Sequence, residues 1–166
     1  MSGSALAAQM RFVNICIQKI LELTRKDWNL HGKHNRQPSS VVLIGHSMGG
    51  IVARGVVALP SFTPGSVETI ITLCSPHSNL PAYVDPALRA QLDAINTFWL
   101  NGLIVYPHVN TNLSDPDPAV LNRLAEARAR LGSVVLASIA GGRRDLLVPT
   151  RLADVRGFCP PSNGCA

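Results

Sequence analysis

The sequence predicts an α/β fold in which a mostly parallel sheet carries helices on both faces. Three short β-branched runs alternate with longer segments whose apolar residues recur every three or four positions, as they do along amphipathic helices. Continuous apolar runs such as residues 41–44 are typical of parallel strands, which are buried on both faces. With 166 residues, of which 46% are hydrophobic and 15% charged, the chain has enough apolar material for one core. We therefore expect one domain over residues 1–166.

The predicted elements follow one another in a regular order. The first is an amphipathic helix over residues 5–24, with Leu6, Met10, Ile17 and Ile20 on its apolar side and Asn14 on the opposite, polar side. The others are strands over residues 41–44, 67–73 and 133–140, helices over 51–57, 85–103 and 119–131, and a tail at 157–166 that we expect to be irregular. Because three strands are few for a sheet covered by helices, the sheet is expected to be incomplete at both ends.

Charge and cysteine usage argue against two kinds of partner. The 15 basic and 10 acidic residues give a net charge of +5, but the basic residues are spread along the chain, and nucleic-acid binding requires a basic stripe. The four cysteines form no CxxC pair and have no histidine at zinc-ligand spacing, so a metal site is not expected. Cys16 and Cys74 are interpreted as buried thiols. Cys159 and Cys165 could close a small loop in an oxidising compartment.

The most informative segment is GHSMGG, which lies between a predicted strand and a predicted helix. Its Gly-x-Ser-x-Gly pattern is that of a nucleophile elbow, in which a sharp turn leaves little room for side chains and exposes the serine hydroxyl above the sheet. We therefore predict that Ser47 is the nucleophile of a serine esterase. The backbone N–H of Met48 would donate to the oxyanion. The alternative is an ordinary glycine-rich turn. The elbow consists of Gly45, His46, Ser47, Met48, Gly49 and Gly50.

A serine nucleophile of this kind also needs an acid that follows it in sequence. Asp145 is the preferred candidate because it comes just after a buried strand, at the sheet edge where Ser47 emerges. The alternative interpretation is a surface carboxylate paired with Arg143 or Arg144. Asp85 is the second choice as the acid.

The base is the missing part of this arrangement. The chain contains His31, His34, His46, His77 and His108, and all of them precede Asp145. His46 adjoins the nucleophile, so the elbow would direct its ring elsewhere, and we expect it to pack or to orient the turn. His77 follows a strand end, and together with Ser75 it is a candidate for the rim of the site. The sequence thus supplies a nucleophile and an acid without an evident base.

Two longer segments, SVVLIGHSMGGIVARGVVALP and SVETIITLCSPHSNLPAYVDP, closely resemble the lipase domain of GPI inositol-deacylases. These are enzymes of the endoplasmic reticulum that remove the acyl chain from the inositol of GPI anchors. The stretches ALAAQMRFVNICIQKILEL and LASIAGGRRDLLVPTRLADV are similar to the helix before the nucleophile strand and to the acid-bearing loop of that family. The resemblance covers most of residues 5–156.

The resemblance implies an α/β-hydrolase fold, with Ser47 as the nucleophile and Asp145 as the acid. It implies no cofactor, and it implies GPI lipid or GPI-anchored proteins as substrates. It also implies attachment to the endoplasmic reticulum membrane through regions outside this chain. The family's catalytic histidine lies further downstream, so the chain resembles an internal piece of a longer enzyme.

Two other functions remain open from the sequence. A general lipase or carboxylesterase would share the elbow, because the fold does not determine the substrate. A catalytically inert, hydrolase-like module would explain the missing base, although it has no chemical need of Ser47 or Asp145.

We expect this chain by itself to be poorly stable and inactive, because the base is missing and an incomplete parallel sheet leaves strand edges open. Size-exclusion chromatography and an assay with a short-chain ester check this expectation. A monodisperse chain whose esterase activity is lost in Ser47→Ala would contradict it.

Overall fold

The computed structural model describes residues 3–31, 37–79, 85–101 and 118–158. All of the strands and helices predicted within these ranges are present, although α1 continues seven residues further than predicted and β1 two. The helices are α1 (Gly3–His31), α2 (Met48–Ala58), α3 (Pro86–Asn101), α4 (Pro118–Gly132) and the short α5 (Thr150–Ala153), and the strands are β1 (Val41–His46), β2 (Val67–Leu73) and β3 (Val135–Ile139). Short 3-10 helices cover Gly142–Arg144 and Arg156–Phe158.

The three strands form a parallel sheet in the order β1-β2-β3. The pairing continues past the strand ends, because the Ser47 N–H donates to the carbonyl of Leu73 (2.9 Å) and the Cys74 N–H donates to the carbonyl of Ile139 (2.8 Å). The carboxyl ends of all three strands therefore meet in register at one edge of the sheet. The predicted α/β class, with a parallel sheet and flanking helices, is confirmed.

The described helices form one layer against the sheet. α2 packs directly on β1 and β2, α1 and α3 pack against α2 and against each other, and α4 contacts α2 and α3. The core between this layer and the sheet consists of buried aliphatic and aromatic side chains. Its fully buried members include Ile51, Val56, Val57, Val67, Ile70 and Leu136. Burial of this apolar surface is the main stabilising contribution to the fold.

The opposite face of the sheet is uncovered in the described ranges. Strand residues alternate between the two faces, and on this face Val42 is 55% exposed, Ile44 69%, Val135 46% and Ile139 55%. These are apolar side chains of the kind that a second helical layer covers in a parallel sheet. The predicted helices on both faces are thus found on one face within the described residues.

The apolar side of α1 differs from the predicted stripe at two positions. Leu6, Met10 and Ile17 are buried as expected, whereas Ile20 is 52% exposed. Asn14, which was expected on the solvent side, is buried, and its amide donates to the backbone carbonyl (3.1 Å) and the hydroxyl (3.2 Å) of Ser61. Periodicity could not reveal this, because the partner lies 47 residues further along the chain.

A chain of buried hydrogen bonds connects α2 to the sheet. Nη1 of Arg54 lies 3.2 Å from Nδ1 of His77, and Nε2 of His77 lies 2.9 Å from Oγ1 of Thr72. A guanidinium can only donate, so Nδ1 must accept and the ring proton must lie on Nε2. The Thr72 hydroxyl then donates to the carbonyl of Ala137 on β3 (3.3 Å). His77 is therefore held as a neutral ring with both nitrogens occupied.

The guanidinium of Arg54 is fully buried, and none of the described carboxylates pairs with it. Two aromatic rings contact it instead, with the centroid of Trp99 5.3 Å and that of Phe158 4.8 Å from the guanidinium carbon, within the range of cation–π attraction. Burial lowers the pKa of Arg54 to about 9, so the group remains charged at neutral pH. Burial, and then the charge of Arg54, lower the pKa of His77 to about 3.

This burial predicts that acid destabilises the fold through His77. A base whose pKa is lower in the folded state contributes stability that is complete above its unfolded pKa near 6.5 and is lost as the pH falls toward about 3. We expect the His77 contribution to the free energy of unfolding to decline by up to about 1.4 kcal/mol per pH unit across that window. Urea denaturation of the wild type and of His77→Gln at several pH values measures it.

The matched control is His46→Gln, because the side chain of His46 is exposed. The control should keep the pH dependence of the wild type, and His77→Gln should flatten it. Equal slopes for the wild type and His77→Gln would contradict the prediction.

Candidate active site

The backbone of Ser47 has the strained conformation of a nucleophile elbow. Its φ is 53° and its ψ is −124°, and it lies between the last residue of β1 and the first residue of α2. A positive φ is costly for a serine, and such strain concentrates at functional sites. The Gly50 N–H donates to the carbonyl of Ser47 (3.1 Å), which closes the turn. Ser47 is thus presented at the carboxyl edge of the sheet, where the sequence predicted it.

Two of the three elbow glycines are required by close packing. A Cβ on Gly45 would lie 2.6 Å from both the Gly49 carbonyl oxygen and the Gly50 nitrogen, so strand and helix could not approach each other. A Cβ on Gly50 would lie 2.1 Å from Oγ of Ser75, a side chain that is itself fully buried. A Cβ on Gly49 would meet nothing within 4 Å. The expectation that steric crowding requires a glycine at position 49 is not supported.

The backbone N–H of Met48 directly follows Ser47, at the start of α2. Met48 is the first residue of α2, so its N–H has no carbonyl within the helix to bond. The start of a helix also favours negative charge through its dipole. Both properties suit the predicted role of Met48 as an oxyanion-hole donor.

Asp145 lies in the loop after β3, at the same sheet edge. Its Oδ1 accepts hydrogen bonds from the backbone N–H groups of Leu147 (3.1 Å) and Val148 (2.9 Å). The Val148 bond is the largest of the contributions that lower the pKa of Asp145, and the Cys74 thiol, the Leu147 N–H and the charge of His46 lower it further. The carboxylate is therefore ionised at neutral pH and held in a defined orientation.

The structure supports neither of the alternatives, a surface Asp145 paired with a neighbouring arginine or Asp85 as the acid. Within the described ranges, Asp145 forms no salt bridge with Arg143 or Arg144. Asp85, the second choice, uses its carboxylate at the start of α3, where Oδ1 accepts from the Ala87 N–H (2.9 Å). That contact is a helix N-cap, which is a structural role.

Ser75 and His77 lie inside the protein rather than on an exposed rim. Both side chains are fully buried. His77 is fixed on both ring nitrogens by Arg54 and Thr72, so it has no free nitrogen to accept a proton from Ser47. Its backbone N–H donates to the carbonyl of Leu152 (2.7 Å). Ser75 and His77 thus belong to the packed interior next to the carboxyl edge of the sheet and do not line its surface.

His46 points away from the core. Its side chain is exposed on the uncovered face of the sheet, in register with Leu73 on β2. His46 therefore does not pack into the core, and the other expected role, orienting the turn, stays a prediction. Of the histidines whose side chains the structure describes, His46 and His77, neither is placed as the base for Ser47. His34 and His108 and the side chain of His31 lie outside the described residues, as do Cys159 and Cys165.

Two residues at this edge were not identified from the sequence as parts of the site. Cys74 has a positive φ of 49°, and among the described non-glycine residues it shares this property only with Ser47. Gly141 approaches closely, because a Cβ there would lie 2.7 Å from Oδ2 of Asp145 and 3.0 Å from Sγ of Cys74. Both free cysteines in the described ranges, Cys16 and Cys74, are half-buried rather than fully buried. The available sequence signal for Cys74 was its position directly after β2, which matches the position of Ser47 directly after β1.

Comparison with known families fits this arrangement of fold and site. The model of a family described as a PGAP1-like alpha/beta domain matches residues 1–166. The chain belongs to this family. The resemblance inferred from the GHSMGG and SPH segments is thereby confirmed.

Similar proteins of the family are much longer than this chain. The GPI inositol-deacylase of Schizosaccharomyces pombe is 34% identical over 166 residues, which cover 98% of this chain and 13% of that protein. The GPI inositol-deacylase of Debaryomyces hansenii is 35% identical over 163 residues, covering 98% of this chain and 14% of that protein. That of Emericella nidulans is 35% identical over 168 residues, covering 98% and 13%. The chain thus spans about one-seventh of the length of these curated relatives.

The described ranges contain neither a membrane-crossing helix nor a cluster suited to a metal ion. No helix there is both long and apolar enough to cross a bilayer. No group of three or more His, Cys, Asp or Glu side chains is placed to bind a metal.

The packing of the elbow predicts opposite outcomes for two neighbouring glycines. Gly50→Ala should lower the free energy of unfolding by about 1–3 kcal/mol, because the new methyl overlaps the buried Ser75 side chain. Gly49→Ala should leave it unchanged or raise it by up to about 1 kcal/mol, because the methyl meets nothing and alanine favours the helix. Urea denaturation of both variants checks this, and equal destabilisation would contradict it.

Proposed function

We propose that the protein containing this chain is a serine esterase that hydrolyses the ester between a fatty acid and the inositol of GPI anchors. The observation that carries the proposal is the conformation of Ser47, strained at a φ of 53° at the start of α2. The ionised Asp145 at the same edge supplies the acid that this nucleophile requires. The relatives named GPI inositol-deacylase support the choice of substrate.

The reaction is an acyl transfer through Ser47. Its Oγ gives its proton to the base and attacks the ester carbonyl carbon, and the negative oxygen of the tetrahedral intermediate receives a hydrogen bond from the Met48 N–H. The inositol oxygen leaves with a proton from the base, and an acyl-serine remains. Water then attacks the acyl-serine, the fatty acid is released and Ser47 regains its proton. None of these steps requires a metal or an organic cofactor.

The base of this reaction is a histidine outside the described residues. In this fold the order along the chain is nucleophile, acid and then histidine, which points to a position after Asp145. Asp145 would accept the Nδ1 proton of that histidine and orient its other nitrogen toward Ser47. Its Oδ1 is already occupied by two backbone N–H groups, which leaves Oδ2 for this contact.

The substrate sets the location of the enzyme. An inositol-acylated GPI is a membrane lipid, so the active site has to work at a bilayer surface. We place the protein at the endoplasmic reticulum membrane, attached through regions outside this chain. Its products would be a free fatty acid and a GPI anchor with an unacylated inositol.

A segment exchange tests the proposal. This chain would replace the matching segment of the Schizosaccharomyces pombe GPI inositol-deacylase, in cells whose own copy has been deleted. Mass spectrometry of the GPI lipids measures the fraction with acylated inositol. The chimera should remove the acyl group, and Ser47→Ala should reduce the rate by about 10³-fold or more. Asp145→Asn should reduce it by about 10²- to 10⁴-fold.

The matched control is Ser39→Ala, a serine exposed in the segment before β1. It should leave deacylation unchanged at equal protein levels. A chimera that stays active with Ser47→Ala would overturn the proposal. A purified chimera that hydrolyses triacylglycerol but not acylated inositol would instead identify a general lipase.

A further inference from the structure

The acid is surrounded by groups that come from two neighbouring strand ends. Cys74 directly follows β2, the central strand, and its N–H donates to the carbonyl of Ile139 at the end of β3. This bond fixes the main chain of Cys74 beside the loop that bears Asp145. The Sγ atom of Cys74 lies near this loop, because a Cβ built on Gly141 would be 3.0 Å from it.

Gly141 shows how closely the thiol and the carboxylate approach. A Cβ at this position would lie 2.7 Å from Oδ2 of Asp145, 2.8 Å from its Cβ and 3.0 Å from Sγ of Cys74. A side chain at position 141 would therefore collide with both Asp145 and Cys74. The φ of Gly141 is −70°, which any residue can adopt, so the constraint on this glycine is the space and not the backbone conformation.

The backbone of Cys74 is held in an unusual conformation. Its φ of 49° lies in the left-handed region, which costs free energy for a residue with a Cβ. Ser47, at the end of the adjacent strand, is the other described non-glycine residue with this property. Strained residues persist where their surroundings fix them. Here the two strained residues are neighbours at the carboxyl edge of the sheet, because they follow the paired strand ends His46 and Leu73.

We propose that Cys74 is a positioning residue for the catalytic acid. Its thiol donates to the Asp145 carboxylate, and together with Gly141 it fixes the direction in which Oδ2 faces the base. The proposal rests on the proposed role of Asp145 as the acid. It adds a third fixed contact to the two backbone N–H groups that hold Oδ1.

The ionisation of both groups is consistent with such a contact. Burial raises the pKa of the Cys74 thiol, the hydrogen bond and negative charge of Asp145 raise it further, and a backbone hydrogen bond with Gly141 lowers it by a smaller amount. The same hydrogen bond adds to the effect of the Val148 N–H in lowering the pKa of Asp145. A thiol in this environment stays protonated at neutral pH, as a hydrogen-bond donor must.

Thiol alkylation tests the contact without any need for catalysis. The purified chimera is treated with iodoacetamide between pH 7 and pH 10, and mass spectrometry of the peptides gives the rate at each cysteine of this segment. Only the thiolate reacts, so Asp145→Asn should accelerate alkylation of Cys74 at pH 8 by about threefold or more. Asparagine keeps an Oδ1 that accepts from Leu147 and Val148, so the loop itself is preserved.

Cys16 is the matched control, because it is also a free, half-buried thiol but lies on α1. Its rate should not respond to Asp145→Asn, and the effect at Cys74 should vanish in urea. An unchanged Cys74 rate in the variant would overturn the proposal. So would equal Cys74 rates with and without urea, because the thiol would then have no carboxylate fixed beside it.

Conservative replacement separates positioning from packing. In the chimera, Cys74→Ala should lower kcat for deacylation by about 10- to 100-fold, and Cys74→Ser, whose hydroxyl also donates, should restore most of it. A Cys74→Ser variant as slow as Cys74→Ala would overturn the positioning role. Loss of deacylation in every form, including the wild-type chimera, would count against the proposed function alone, since the alkylation result stands independently.

Discussion

The buried contact between Arg54 and His77 is the interaction on which the rest of this structure depends. Through it, α2 is connected to β2 and, by way of Thr72, to β3. A charged group in an apolar core is costly, and here two aromatic faces and one imidazole offset part of that cost, since Nε and Nη2 of Arg54 have no hydrogen-bond partner among the described residues. Because α2 begins directly after Ser47, the same contact fixes the helix that presents Ser47 at the carboxyl edge of the sheet.

The site follows from the parallel arrangement of the strands. Successive strands end at the same edge, so the residues that follow β1, β2 and β3 are brought side by side although they are distant in sequence. Ser47 and Cys74 share strained backbones at this edge, and the Asp145 loop closes over it from the third strand. Chemistry placed at strand ends is a general property of α/β proteins, and here it gathers a hydroxyl, a thiol and a carboxylate.

The local features of this edge were readable in the sequence, and the contacts between elements were not. Glycine spacing around Ser47 predicted the elbow, and the apolar runs predicted all three strands. Gly49 was misjudged because pattern alone cannot distinguish a glycine that packs against another element from one that faces open space. The position of His77 after a strand predicted a place on the rim of the site, but its role is determined by the contact with Arg54, which lies 23 residues earlier. Asn14 and Cys74 were missed for the same reason.

Phe158 gives the end of the described chain an importance that its position does not suggest. Its ring covers one face of the Arg54 guanidinium, and Trp99 contacts the same group. A shorter domain that ended at Val155 would therefore lose one of the two aromatic rings that contact the buried guanidinium of Arg54. Water would then have to reach the guanidinium, and α2, which begins directly after Ser47, would be less firmly fixed. A fragment that keeps this packing has to extend to Phe158, which lies 19 residues after the end of β3.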